Sequence, residues 1–209
     1  MQSMLRIMQQ RLTAGEPLVL ATITAATGST PRGAGARMVV GREGLLCGTI
    51  GGGIILGGQL YTSINNAAGE LGHMTIRMDG EKCCCGRKGC FEAYGSASAL
   101  IRQACQATGE TITEAKTVFD RAAAGDTICL SVLDTYMNYL AEGFANIINI
   151  FGPDYLCIGG GVSAAGDALL TPVRAKTYER VFAKNAKKNT QIILARLGND
   201  AGILGAAFL

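Results

Sequence analysis

The chain has 209 residues, 48% of them hydrophobic and only 17% charged, with a formal net charge of +3. That length holds one large domain or two small ones, and the composition excludes an intrinsically disordered chain. The charge is small and forms no long basic block, which argues against nucleic acid as a main partner. The first 22 residues are no secretory signal, because Arg6, Gln9, Gln10 and Arg11 interrupt the apolar positions. No stretch reaches the roughly 18 unbroken apolar residues of a membrane span. The expected location is therefore cytoplasmic, with no membrane partner and with thiols kept reduced.

In chain order, Met4, Leu5, Met8 and Leu12 have helical spacing and predict a helix over 3–14. PLVLATITAA (17–26) reads as a buried strand and GSTPRGAG (28–35) as a loop. ARMVVG and LLCGTI read as short strands around a turn at Arg42–Gly44. GIILGGQLYT (53–62) predicts a hairpin turning at Gly57–Gly58. A cysteine-rich loop follows, from Gly72 to Glu92.

Beyond it the pattern turns helical. FEAYGSASALIRQACQATG predicts one helix, and Thr111-Ile-Thr-Glu114 has capping-box spacing and opens a second. The longest covers DTICLSVLDTYMNYLAEGFANIINIFG, where Leu133, Met137, Leu140, Phe144 and Ile147 line one face. That stripe reads as core rather than as a partner groove, and Pro153 ends the helix. DYLCIGGG (154–161) is a strand entering a glycine turn. A helix from about Ala164, strand QIILAR (191–196) and a last helix from about Asp200 complete the chain. Strands followed by helices, closing on β-turn-α-β-α, predict an α/β or α+β fold.

The Gly72–Glu92 stretch holds half of the eight cysteines and the single histidine. His73, Cys83, Cys85 and Cys90 are spaced H-x9-C-x-C-x4-C. Three thiolates and an imidazole suit a closed tetrahedral zinc site. Gly86 and Gly89 would let the loop fold back so that Cys90 reaches the ion. Lys82, Arg87 and Lys88 would offset its negative charge, and Cys84 would point away. A disulfide is a poor alternative in a reducing cell. A reactive thiol would leave three soft ligands unexplained. The spacing is none of the common C-x2-C finger patterns. Cys47, Cys105, Cys129 and Cys157 lie in apolar surroundings and read as small buried hydrophobes.

Glu70-Leu-Gly-His73, followed by Cys83-x-Cys85-Gly86-x-x-Gly89-Cys90-x-Glu92, resembles the signature of the repressor–ORF–kinase (ROK) family of sugar kinases and sugar-responsive repressors. NIINIFGPDYLCIGGGVSAAGDALLTPVR and LGNDAGILGAAFL resemble its final segments, so the likeness covers about 48–209. It implies the C-terminal lobe of an actin-like ATPase with a zinc-bound loop, commonly dimeric. His73, Cys83, Cys85 and Cys90 would hold structural Zn2+, while Glu70, His73 and Glu92 would line the pocket of a hexose or N-acylhexosamine. Carboxylates accept hydrogen bonds from vicinal hydroxyls, and a metal-held imidazole donates its remaining N–H. Gly159, Gly160 and Gly161 would lie beside the nucleotide, where backbone N–H groups approach closely. An active enzyme would use ATP and Mg2+.

Such kinases carry a D-x-G-x-T phosphate loop, the Asp of an N-D-x-N segment as base, and a second loop, usually G-T-G-x-G-x-G. Only the last has a counterpart, Gly48-Thr49-Ile50-Gly51-Gly52-Gly53, one residue short. Its Gly48, Thr49, Gly51 and Gly52 are the nucleotide-binding candidates. No D-x-G-x-T occurs and no Asp lies between Met1 and Met78, while Asn199-Asp200 belongs to the LGNDAG segment. General-base catalysis is worth about 10²–10⁴-fold, and positioning is most of what a phosphoryl-transfer enzyme supplies. No catalytic residue is assigned.

Residues 18–53 instead resemble the start of the XdhC/CoxI family of accessory proteins for molybdenum-containing dehydrogenases. The matching residues are Gly28-Ser29-Thr30-Pro31-Arg32, Gly35-Ala36-Arg37-Met38 and Gly48-Thr49-Ile50-Gly51-Gly52. That family's cysteine after the glycines is replaced here by Gly53-Ile54-Ile55. The expected organisation is a small β-rich XdhC-like segment over 1–53 and a ROK-type lobe over 54–209. Three functions follow: a kinase impaired by the missing base and loop, a non-catalytic zinc-stabilised sugar-binding and dimerising module, or a molybdenum-enzyme maturation factor.

Overall fold

The computed structural model describes residues 19–22, 37–41, 44–48, 54–56, 59–60 and 69–195. The expected helices at 3–14 and from Asp200, and the loop at 28–35, lie outside them. The chain divides into two compact units, Met1–Leu71 with Ala195–Leu209, and Gly72–Leu194.

In the first unit, β1 (Val19–Thr22), β2 (Arg37–Gly41) and β3 (Gly44–Gly48) form a three-stranded antiparallel sheet in that order. Val19 faces Val40 and Thr22 faces Arg37, while Gly41 faces Gly44. β4 (Ile55–Leu56) pairs antiparallel with β5 (Gln59–Leu60), Leu56 against Gln59. Gly57 and Gly58 stand between these strands in the sequence, the two-residue spacing that a tight hairpin requires.

The second unit is built on one long helix. Five helices follow the cysteine loop: α1 (Glu92–Gly95), α2 (Ala97–Thr108), α3 (Ala115–Ala123), α4 (Thr127–Phe151) and α5 (Asp167–Arg180). The other four all pack on α4. Its length comes from good punctuation. The Asp126 carboxylate accepts the backbone N–H groups of Ile128 and Cys129, each at 3.0 Å, which satisfies two otherwise unpaired donors. At the far end Gly152 adopts a left-handed conformation, φ 51°, and its N–H returns to the carbonyl of Ile148. The helix is thus capped one residue before Pro153. Leu133, Met137, Leu140, Phe144 and Ile147 are all buried, so the expected stripe is core. Tyr136 is fully buried, and its hydroxyl donates to the carbonyl of Gly95 at 2.9 Å.

Three boundaries differ from the sequence reading. The helix expected over 91–109 is two helices, because the Ser96 hydroxyl accepts the Ala99 N–H and starts a new one. The capping box at Thr111 does not form. Ile112 is buried, its N–H donates to the Cys105 sulfur at 3.2 Å, and the Cys105 thiol donates to the Ile112 carbonyl at 3.4 Å. That exchange holds the segment on α2, and α3 begins only after Glu114, which makes no side-chain cap. Cys105 is therefore a half-buried hydrogen-bonding group, not a plain hydrophobe. Cys129 is fully buried as expected, and burial raises the half-buried Cys157 thiol to about 11. Third, the helix expected from Ala164 starts at Asp167, after a 3-10 turn over Gly161–Ala165.

β6 (Tyr155–Ile158) and β7 (Gln191–Leu194) pair in parallel, Tyr155 against Gln191 and Ile158 against Leu194. Parallel neighbours need a crossover, and α5 supplies it. Among the described residues no helix is long and apolar enough to cross a membrane.

Candidate metal and sugar site

The loop from Gly72 to Phe91 folds back on itself through two isolated bridges, Thr75 with Cys90 and Lys82 with Lys88. Gly89 makes the return possible. Its φ is +77°, and a Cβ there would overlap the carbonyl oxygen of Arg77, so only glycine fits. Its N–H donates to the Glu81 carbonyl at 2.8 Å, and its own carbonyl accepts the Ile76 N–H at 2.9 Å. A tighter turn lies inside, where the Cys83 N–H donates to the Arg87 carbonyl and the Gly86 N–H to the Cys83 carbonyl.

This fold brings four soft donors together. One ligand atom from each of His73, Cys83, Cys85 and Cys90 lies within 4.8 Å of the others. Cys83 Sγ stands 3.4 Å from His73 Nδ1, and Cys85 Sγ stands 3.6 Å from Cys90 Sγ. A tetrahedral zinc with Zn–S of about 2.3 Å and Zn–N of about 2.0–2.1 Å has edges of roughly 3.5 Å (N–S) and 3.8 Å (S–S). The two close pairs match those edges, so the donor set fits such an ion.

Burial and hydrogen bonding differentiate the thiols. The Arg87 backbone N–H, its largest influence, holds the Cys85 thiol below the usual range, and the Arg87 charge acts the same way. Desolvation pushes the fully buried Cys90 up to about 12. Without an ion Cys90 is a neutral thiol, and a metal would have to displace its proton. Of the three cations expected to balance the site, Arg87 acts on Cys85, and its guanidinium also donates to Thr75 Oγ1 at 2.9 Å. Lys82 and Lys88 instead pair their backbones across the loop.

Cys84 does not turn fully away. It is exposed and outside the four-donor set, yet its thiol lies 3.9 Å from Cys83 Sγ and 3.8 Å from Glu92 Oε2. The Cys83 contact, foremost, raises its pKa, and the Glu92 charge adds to this. Glu92 Oε2 is 3.9 Å from His73 Nδ1, too long for a hydrogen bond. Nδ1 is thus the ring nitrogen on the cysteine side, which leaves Nε2 for another partner. Glu70 is exposed and precedes the 3-10 turn Leu71–His73.

Sequence reasoning missed what fastens this loop to the core. The Phe91 ring meets Phe144 edge to face at 5.9 Å between centroids. A Cβ on Gly95 would fall 2.7 Å from the Phe91 ring, and one on Gly143 would overlap it. The ring therefore occupies a notch cut by two glycines, one in α1 and one in α4. A glycine at 143 inside a long apolar helix was the available signal, since it weakens the helix unless something packs there.

The glycine triplet follows β6. Gly160 has φ +80°, whereas Gly161 has no positive φ, and a Cβ on either would meet nothing within 4 Å. Of the earlier glycine string, Gly48 ends β3, while Thr49, Gly51 and Gly52 lie outside the described residues.

Comparison with known proteins places the chain. Residues 45–209 match the ROK family, and residues 11–57 match the XdhC and CoxI family. A glucokinase of Halalkalibacterium halodurans is 36% identical over 174 residues, 77% of this chain and 52% of that protein. A glucokinase of Thermotoga maritima is 35% identical over 171 residues, 76% of this chain and 54% of that protein. The chain thus spans about half the length of these relatives. Its fold resembles that of a ROK glucokinase from Streptomyces griseus solved with glucose and AMPPNP. The TM-score is 0.69 at 27% identity, over 92% of this chain and 60% of that one. With four fifths of its length matched, from the strand before the glycine string to the last residue, the chain belongs to the ROK family.

Proposed function

We propose that this chain is the sugar-binding, zinc-stapled half of a ROK-type hexose or N-acylhexosamine kinase, and that alone it transfers phosphoryl groups feebly or not at all. The observation that carries the reading is the convergence of His73, Cys83, Cys85 and Cys90, with Glu92 two residues beyond the last of them. These four would hold Zn2+. The ion would be structural, since the four protein donors already complete a tetrahedron. It would fix the His73 ring with Nε2–H directed outward, where that group and the Glu92 carboxylate can hydrogen-bond adjacent sugar hydroxyls. Glu70 joins them by its place in Glu70-x-x-His73.

Gly159, Gly160 and Gly161 would receive the nucleotide, and Gly48, Thr49, Gly51 and Gly52 are separate nucleotide-binding candidates by their glycine string alone. Support comes from Gly161, where neither φ nor crowding demands glycine. A bare backbone there would let a nucleotide phosphate approach closely. The weak activity follows from the missing D-x-G-x-T and from the absence of Asp between Met1 and Met78. A cytoplasmic homodimer is part of the proposal. The match over 11–57 favours a second reading, an XdhC-like maturation role for the N-terminal segment.

The test is sugar-dependent ADP release with ATP and glucose, mannose, fructose or N-acetylmannosamine, run beside calorimetric sugar binding. The expected result is binding without turnover, with binding lost in Glu92→Gln. Turnover would refute the impairment. Absence of binding by all four sugars would overturn the sugar site. Molybdopterin binding would revive the second reading.

A further inference from the structure

A groove of about 420 Å3 lies between α2 and α4 and is lined in part by Tyr94. It belongs to neither the cysteine cluster nor the glycine triplet. Two guanidiniums line it, those of Arg77 and Arg102, and among the described residues neither has a carboxylate partner. Glu81 also lines the groove but forms no ion pair with either. Arg102 is half-buried. One of its terminal nitrogens donates to the Ala93 carbonyl at 2.6 Å, while its Nε is buried without a partner.

The groove is also lined by a tilted pair of rings, Tyr94 and Tyr139, with centroids 4.5 Å apart. Each hydroxyl is already an acceptor. Tyr94 takes the Glu81 N–H at 2.6 Å, and Tyr139 takes an Arg77 N–H at 2.9 Å. Each therefore still has its own proton to donate. Among the described residues no acceptor takes either one. The hydroxyls of Ser131 and Thr135 line the same groove.

The groove thus sets two positive charges against one carboxylate and carries several free donors, while Gln103, which also lines it, brings one buried acceptor, its Oε1, that has no partner. We propose that it binds a small phosphate monoester, with the phosphoryl dianion between Arg77 and Arg102 and the organic part against the Tyr94–Tyr139 wall. A phosphoryl group supplies three acceptor oxygens and pairs with guanidinium through charge-assisted bonds. A single carboxylate would leave donors idle. The volume exceeds what a bare phosphate fills, so an esterified ligand matches better. Occupancy would also bear on the cysteine loop, because Arg77 and Glu81 belong to it and the Tyr94 hydroxyl holds its Glu81 N–H. The proposal does not rest on the sugar-kinase reading.

The test is titration calorimetry of the full chain with phenyl phosphate, inorganic phosphate and benzoate at fixed ionic strength. Phenyl phosphate should saturate a single site, more tightly than inorganic phosphate and than benzoate. Arg77→Gln and Arg102→Gln should each weaken it about tenfold or more. Arg102 also bonds the backbone, so the exposed Arg77 variant carries the test if Arg102→Gln misfolds. Tyr139→Phe should cost less, since it removes one neutral donor. No saturable phenyl phosphate binding, or binding unchanged in Arg77→Gln, would overturn the proposal. So would benzoate binding as tightly as phenyl phosphate.

Discussion

Glycine 143 and tyrosine 136 sit two turns apart on the same helix and make opposite demands on their neighbours. A Cβ at Gly143 would overlap the Phe91 ring. Overpacking costs about 1–3 kcal/mol, against about 1 kcal/mol that alanine gains over glycine in a helix. Gly143→Ala should therefore destabilise the protein by up to about 2 kcal/mol in urea unfolding. Gly161→Ala, with open space around it, should stay within about 0.5 kcal/mol. Tyr136→Phe removes only the hydroxyl oxygen from the core but leaves the Gly95 carbonyl without its donor. That should cost about 1–3 kcal/mol, read as a lower denaturation midpoint with an unchanged slope. Neither site was legible in sequence. A glycine inside a helix signals that something packs there, yet only the fold shows that the partner is Phe91.

At the scale of the element, α4 was read almost to the residue, because its signals are local. The apolar residues on one face and the proline that ends it lie in or beside the segment itself. α3 was misplaced because its start is decided elsewhere, by the bond between Cys105 and Ile112. The cap of α4 has a pH consequence. The Cys129 N–H, foremost, and Arg121 hold Asp126 at about 2, against an ordinary value of 3.8. A carboxylate lowered in the folded state contributes stability that is fully present above about 4. It is lost as pH falls toward about 2. Wild-type protein should lose stability through that window more steeply than Asp126→Asn, whose amide keeps a capping oxygen without titrating. Thermal melts of both proteins between pH 5 and 2 would check it. Equal slopes would show that the cap does not set the acid limit.

For the whole molecule, the family was legible, and so was the grouping of His73, Cys83, Cys85 and Cys90 that the fold brings together. The close approach of Cys84 to Glu92 and the notch under Phe91 were not, because they depend on how the loop closes and docks on α4. Metal analysis of protein purified without added zinc should find one ion per chain. Cys90→Ser should abolish it and lower the melting temperature. Cys84→Ser should keep the ion, because Cys84 is outside the four-donor set. If Cys84→Ser empties the site and Cys90→Ser does not, the ligand assignment is wrong. Chelation should release the ion slowly, since Cys90 is fully buried.

Phe91 follows a metal-ligand candidate and precedes a carboxylate, and its ring fills a gap formed by one glycine nearby, Gly95, and one distant, Gly143. The bulk at position 91 and the bulk at positions 95 and 143 are thus one variable, not three. A larger side chain at 143 calls for a smaller one at 91. A protein engineer should expect Gly143→Ala to be tolerated beside Phe91→Leu and penalised beside phenylalanine. What attaches the loop to α4 is the summed volume at positions 91, 95 and 143 rather than any one residue.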